Sequence, residues 1–323
     1  MKRVFHSITL SFILFALLPL QTRAAELLIP VGKIIGLQLR NDTITVVAYD
    51  DVLGATARDA GLKIGDEIVK IGDVAIRCAE DIRNVLDNSS SEPITLTIRR
   101  DSKLNTIHLT PAQTSDGPRL GIYLRQGIAG IGTVTFYDPD TGKFGTLGHG
   151  VCDARGNLLQ MTEGNAFEAS ILSVKKGKCG EPGQLKGSAD SAIPCGTLLR
   201  NTPQGVFGIT RQCWKGEAIP VAGYEEISIG NAAIRSTIRG SEAQDYSVEI
   251  LKIYPESRSD GRNFLIRVTD ARLLETTGGI VQGMSGSPIC QNGKIVGAVT
   301  HVLVNDPTMG YGIFIGNMLD AAG

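Results

Sequence analysis

The chain has 323 residues, 42% of them hydrophobic and 20% charged, which is enough apolar mass for more than one buried core. Its formal net charge of −1 excludes the basic excess that a nucleic-acid partner demands. With 39 glycines and only 5% aromatic residues, the composition favours β-rich domains with many turns over a helix bundle.

Taken in order, the chain opens with Lys2 and Arg3, followed by an almost wholly apolar run from Val4 to Leu20. Thr22-Arg23-Ala24-Ala25 then supplies small residues suited to cleavage. This pattern predicts a signal peptide or N-terminal membrane anchor over residues 1–25, with the remainder exported across the cytoplasmic membrane. Six cysteines follow at Cys78, Cys152, Cys179, Cys195, Cys213 and Cys290, with no C-x-x-C pair. That spacing gives no zinc site, and no metal or cofactor is expected. An even count in an exported chain is compatible with disulfides, and the spacing does not fix their pairing.

Residues 26–112 read as one small domain. Ala60-Gly61-Leu62 closes a short helical turn, Gly65-Asp66 turns into a strand from Ile68 to Ile71, and Gly72-Asp73 turns out of it. From Cys78 to Leu86 the apolar spacing is helical, with Ile82, Val85 and Leu86 on one face. Ile94, Leu96 and Ile98 alternate as a strand, as do Ile107 and Leu109. The string A-G-L-x-x-G-D-x-I-x-x-I-x-G over these residues resembles a PDZ domain. Such domains bind a peptide C-terminus or internal segment as an added strand. The resemblance places the peptide-binding loop at Ile35, Gly36 and Leu37. The alternative is a packing module that positions the second domain.

Residues 113–119 are polar, with Pro111 and Pro118 nearby, and read as a linker. Residues 120–323 then form a second domain rich in strand signals: Gly132 to Tyr137, Ala169 to Val174, Ile227 to Ile238 and Val248 to Tyr254. Asp138-Pro139-Asp140-Thr141-Gly142 is a hairpin turn, and long helices are absent, so a β-barrel-like body is expected.

Three features of this domain carry chemistry. Phe144-Gly145-Thr146-Leu147-Gly148-His149-Gly150 sets a histidine between two glycines, free to reach a cleft. Near the end, Gly283-Met284-Ser285-Gly286-Ser287-Pro288 sets a serine on a glycine-flanked turn whose amides are suited to an oxyanion. An Asn292-Gly293 hairpin turn and an apolar strand follow. The order of serine turn, short strand, N-G turn and strand resembles the nucleophile region of chymotrypsin-like serine peptidases. A serine nucleophile needs a base, for which His149 is the first candidate and His301 the second. The base needs an orienting acid, for which Asp153, Asp190 and Asp270 are candidates. Asp270 ends the strand Phe264 to Thr269, and its competing reading is a helix N-cap.

The whole chain resembles the SpoIVB peptidase family: N-terminal hydrophobic segment, PDZ domain, then a chymotrypsin-like β-barrel serine peptidase domain. The residues that carry the resemblance are Thr146-Leu147-Gly148-His149-Gly150, Val268-Thr269-Asp270, and the run from Thr277 through Asp306-Pro307 to Ile315. It implies a mainly β fold with a catalytic triad of His149, Asp270 and Ser285. It also implies an oxyanion hole from the backbone amides of Gly283 and Ser285. The implied substrate is a membrane-anchored regulator of an intramembrane metalloprotease, in a sporulation pathway leading to pro-sigma-K processing, with self-cleavage. A PDZ-containing scaffold with an inactive peptidase-like domain is the alternative. Cys152 and Cys290 flank His149 and Ser285, where a disulfide or redox effect would bear on activity.

Overall fold

The computed structural model describes residues 26–89, 92–153, 156–258 and 260–323. The targeting segment expected over residues 1–25 lies outside them. Among the described residues no helix is long and apolar enough to cross a membrane.

The chain begins with a short strand, β1 (Leu27–Pro30), and a long one, β2 (Ile34–Tyr49). An insert follows: α1 (Ala55–Asp59), β3 (Glu67–Ile71), β4 (Val74–Ala75), α2 (Ala79–Asp87), β5 (Ile94–Arg100), β6 (Lys103–Leu109) and a small hairpin of β7 (Ala112–Thr114) and β8 (Gly117–Arg119). A second long strand, β9 (Ile122–Tyr137), returns antiparallel to β2 along nearly its whole length, from Tyr49↔Ile122 to Ile34↔Thr133. After it come β10 (Lys143–Thr146), β11 (Glu163–Lys175), β12 (Gln184–Ala189), β13 (Gly196–Thr202), β14 (Gly205–Thr210) and β15 (Ile219–Pro220).

Strand pairing closes the first barrel: β2 with β9, β9 with β10, β10 with β14, β14 with β13, β13 with β11, and β11 back to β2. The second barrel is formed by β16 (Gly230–Ser236), β17 (Gln244–Ile253), β18 (Phe264–Val268), β19 (Pro288–Gln291), β20 (Lys294–Leu303) and β21 (Asp306–Phe314). Between β18 and β19 lies α3 (Ala271–Thr277), and α4 (Ile315–Ala322) ends the chain. Closure leaves neither barrel with a bare edge. Asn292 and Gly293 both have positive φ (51° and 74°), so the expected N-G turn joins β19 to β20. The fold is mainly β as expected, with two barrels where one β-barrel-like body was expected.

The two long strands run through both units, so the expected boundaries shift. Ile35, Leu37, Leu39 and Ile128 pack in the first-barrel core, whereas Ile44, Val46, Ile122 and Leu124 pack in the core of the insert. The PDZ-like unit is therefore inserted between the two halves of one β2–β9 ladder, and residues 26–39 belong to the barrel. Gly127 (φ +79°) marks the crossing point, where a Cβ would collide with the Leu39 carbonyl. The segment expected to be a linker, residues 113–119, is instead the β7–β8 hairpin.

This placement overturns the expected peptide loop. Ile35, Gly36 and Leu37 pair on one side with Gly132, Ile131 and Gly130, and on the other with Glu168, Phe167 and Ala166. Both edges of the strand are taken, so no peptide can add there.

Within the insert, the G-D of the signature has a specific task. Asp66 is 1% exposed, and its carboxylate accepts the Lys63 amide at 2.7 Å. The Arg100 guanidinium also donates to it, at 2.7 and 2.6 Å, and reaches the Gly61 carbonyl at 2.8 Å. One carboxylate thus ties the loop between α1 and β3 to β5. Removing it leaves Arg100 unpaired against a buried loop. Asp66→Ala is expected to destabilise the chain by about 3 kcal/mol, the low end for such a loss because Arg100 keeps some solvent. Urea denaturation followed by circular dichroism measures it.

Candidate active site

A cleft of about 480 Å³ opens between the two barrels. Its walls include Leu37, Leu39 and Ile131 from the first barrel, and Ile280, Thr300 and Val302 from the second. His149 and Ser285 both line it, as does His301.

The histidine loop leaves β10 through two residues of positive φ, Leu147 (+70°) and Gly148 (+69°). For a leucine this conformation costs about 1–2 kcal/mol. Burial of the Leu147 side chain beneath Gly132 offsets it. Gly148 sits against Thr300 and Ile313 of the other barrel, where a Cβ would come within 2.9 Å of the Thr300 methyl. The chain is thereby turned so that the half-buried His149 ring faces the cleft. Its Nδ1 lies 3.0 Å from the Gly150 carbonyl. A carbonyl can only accept, so Nδ1 carries the proton and Nε2 holds the free lone pair. Burial pushes the His149 pKa below its ordinary value, and the Gly150 carbonyl partly opposes that shift.

The Ser285 turn is gripped by the first barrel. The Thr133 amide donates to the Ser285 carbonyl at 3.0 Å, and its hydroxyl donates to the Gly283 carbonyl at 2.9 Å. The Thr135 hydroxyl donates to the Gly286 carbonyl at 2.7 Å. Inside the turn, the amides of Met284, Gly286 and Ser287 donate to Val281, Val299 and Met284. Neither the Gly283 nor the Ser285 amide has an acceptor among the described residues. Those two alternate donors are the pair an oxyanion hole requires. The Ser285 hydroxyl donates to the Thr300 carbonyl at 2.9 Å, and no hydrogen bond joins it to the His149 ring among the described residues.

Asp270 is not brought to this cleft. It is the N-cap of α3, accepting the Arg272 and Leu273 amides, and it also accepts the Ser247 amide at 3.3 Å. The Arg272 guanidinium is paired with it at 2.8 Å. That guanidinium, with the three amides, holds the Asp270 carboxyl at about 2. The helix cap, the Ser247 amide and the Arg272 guanidinium are its contacts, and the implied orienting role does not follow from this geometry. Asp190 accepts the Ser170 hydroxyl at 2.9 Å, and Asp153 accepts the Asn157 amide at 3.0 Å. The His149 hydrogen bond among the described residues goes to neither carboxylate. The position behind the imidazole is held by a backbone carbonyl.

His301, the second candidate base, lies across the cleft with its ring centre 5.5 Å from that of His149. Its Nδ1 is buried without a partner among the described residues. Burial first, then the fields of His149 and Arg262, push its pKa down to about 4. All six cysteines are free thiols. Cys152 lines the cleft, while Cys290 sits on β19 opposite Ala233, its thiol pushed up to about 12 by burial. The two do not bridge. Thr133, Thr135, Thr300 and the Gly150 carbonyl went unmarked in the sequence, because threonines in strands and backbone oxygens carry no motif. Among the described residues no cluster of three or more His, Cys, Asp or Glu side chains suits a metal ion.

A family model described as SpoIVB peptidase S55 matches residues 116–319, and a PDZ domain model matches residues 52–100. A putative zinc metalloprotease of Treponema pallidum is 36% identical over 81 residues, covering 24% of this chain and 18% of that protein. The serine protease Do-like HtrA of Lactococcus lactis is 39% identical over 62 residues, covering 19% of this chain and 15% of that protein. The chain thus spans less than a fifth of the length of these two curated relatives. Among solved structures, the active form of the Rv3671c protease from M. tuberculosis matches at 16% identity with a TM-score of 0.35, covering 61% of this chain and 75% of that one.

Two stability effects follow from this geometry. Thr133→Val keeps shape but strips the Gly283 carbonyl of its donor, and is expected to cost about 1 kcal/mol by thermal unfolding. Asp270→Ala removes the α3 cap and is expected to cost about 1 kcal/mol at neutral pH. The folded carboxyl titrates below its ordinary value, so its contribution is complete above pH 4. It fades as pH falls towards 2, and the gap between wild type and Asp270→Ala is expected to close over that range in acid-unfolding curves.

Proposed function

The chain belongs to the SpoIVB peptidase S55 family, and from that membership we propose that it is a serine endopeptidase with Ser285 as nucleophile and His149 as general base. One observation carries the reading. Ser285 and His149 come from opposite barrels to one cleft, beside two amides, Gly283 and Ser285, that lack acceptors among the described residues.

The chemistry is acyl transfer. Ser285 Oγ leaves the Thr300 carbonyl, gives its proton to His149 Nε2 and bonds to the substrate carbonyl carbon. Negative charge collects on the carbonyl oxygen, where the Gly283 and Ser285 amides receive it. Each such donor is worth about 10²–10³ in kcat. The imidazolium passes its proton to the leaving nitrogen as the C–N bond breaks. Water then attacks the acyl-enzyme, gives a proton to His149, and Ser285 Oγ recovers it on release of the acid.

The substrate in this proposal is a membrane-anchored regulatory protein, with the chain itself as a second substrate, in a sporulation pathway leading to pro-sigma-K processing. The family resemblance supports that placing, and the N-terminal sequence supports an extracytoplasmic location. A peptide segment is the expected ligand of the PDZ domain. The resting Ser285–Thr300 hydrogen bond favours a second reading, a scaffold whose peptidase site is not assembled.

A fluorophosphonate probe with mass spectrometry separates the two. Labelling of Ser285 in the wild-type chain is expected, together with self-cleavage fragments that vanish in Ser285→Ala. No adduct and no fragments would favour the scaffold. His149→Ala is expected to lower kcat by about 10⁴-fold or more. Because burial keeps the His149 ring neutral, the acid limb of kcat/KM is expected below pH 6.5, and a limb above that value would refute the assignment.

A further inference from the structure

A general base needs its second ring nitrogen held, so that the correct tautomer faces the nucleophile. Here the holder is the Gly150 carbonyl, and a carbonyl is only as fixed as its own peptide group. That peptide joins Gly150 to Val151, and its planarity ties the direction of its C=O to the direction of its N–H. The Val151 N–H donates to Asn201 Oδ1 at 2.9 Å. The Asn201 Nδ2 donates to the Val151 carbonyl at 2.8 Å and to the Leu159 carbonyl at 2.9 Å. One acceptor and two donors of a single carboxamide are thus matched to one N–H and two carbonyls, which fixes which atom of the amide is oxygen. Asn201 itself stands on β13, a wall strand of the first barrel.

We propose that Asn201 is the positioning residue of the catalytic histidine, acting through the Gly150–Val151 peptide in the place where a triad has its carboxylate. The relay runs from His149 Nδ1–H to the Gly150 carbonyl, across the peptide to the Val151 N–H, and on to Asn201 Oδ1. Each hydrogen bond polarises the next in such a chain, so the acceptor strength of the Gly150 oxygen depends on Asn201. Gly150 is needed for the same reason. A Cβ there would meet the Thr202 carbonyl at 2.7 Å and displace the peptide. Unlike a carboxylate, the relay adds no charge beside the imidazole, so the base stays neutral in its half-buried site.

This inference rests on the peptidase reading, and its test has a readout that survives the failure of that reading. In the Ser285→Ala background, ¹⁵N NMR of the histidine rings is expected to show His149 protonated at Nδ1. Adding Asn201→Leu, close in shape, is expected to give a mixture of tautomers, while Asp270→Asn, which keeps the helix cap, leaves Nδ1 protonated. In the active chain Asn201→Leu is expected to lower kcat by about 10²-fold, the scale of a misplaced catalytic group, with KM within about threefold. Should Asn201→Leu fail to fold, Asn201→Ser is judged by the same two readouts. A folded Asn201 variant with wild-type tautomer and wild-type kcat overturns the proposal, as does a tautomer change caused by Asp270→Asn alone. If the wild type never labels at Ser285, the peptidase reading falls while the tautomer measurement still decides the role of Asn201.

Discussion

Thr133 is the residue on which the geometry of the cleft depends. It is fully buried on β9 and bonds in two directions at once. Its amide and hydroxyl hold the Ser285 and Gly283 carbonyls, while its own carbonyl accepts the Thr146 hydroxyl at 2.6 Å and the Leu147 amide at 3.3 Å. One backbone unit of the first barrel therefore sets both the Ser285 turn and the start of the His149 loop. All of these bonds are between neutral groups, so they answer to shape rather than to salt or pH. The Gly286 turn fits only because it lacks a side chain: its φ is +94°, and a Cβ would drive into the Thr133 carbonyl.

How legible this was from sequence varied with the kind of signal. The glycine-flanked His149 and Ser285 stood out because such flanks serve backbone shape and have little use in a packed strand. The PDZ signature was equally plain, since Gly61, Gly65 and Asp66 occupy fixed places around one ion-paired loop. The N-G turn and the helix from Cys78 showed for the same local reason. What stayed hidden was pairing at long range. The sequence offers Ile35 to Leu37 as a loop, and nothing local says that they lie in a strand whose two edges β9 and β11 will take. The PDZ boundary was misplaced for that reason, and the peptide loop at Ile35 to Leu37 with it.

The orienting group shows a second limit. An aspartate ending a strand, shortly before a nucleophile, suits a triad and suits a helix cap. Only the contacts of Asp270 with Arg272, Leu273 and Ser247 decide what it touches. A backbone carbonyl behind His149 leaves no trace in composition, because every residue has one. Asn201 is equally silent: an asparagine followed by Thr202-Pro203-Gln204-Gly205 reads as the approach to a turn, while its carboxamide reaches back across fifty positions to Val151.

The junction at Gly127 has a consequence for how such a chain arose. Leu39 lies opposite Ile128 and Ile44 opposite Gln126, so the PDZ unit leaves and re-enters the barrel at neighbouring points on one ladder. A chain lacking everything between would need no more than a tight turn to close the same six strands. The insert is in that sense a guest that lengthens a hairpin without altering its host. A gene for the barrel alone could acquire or shed it in one event without changing the register of the strands, at a join that abuts the cleft through Leu39 and Ile128.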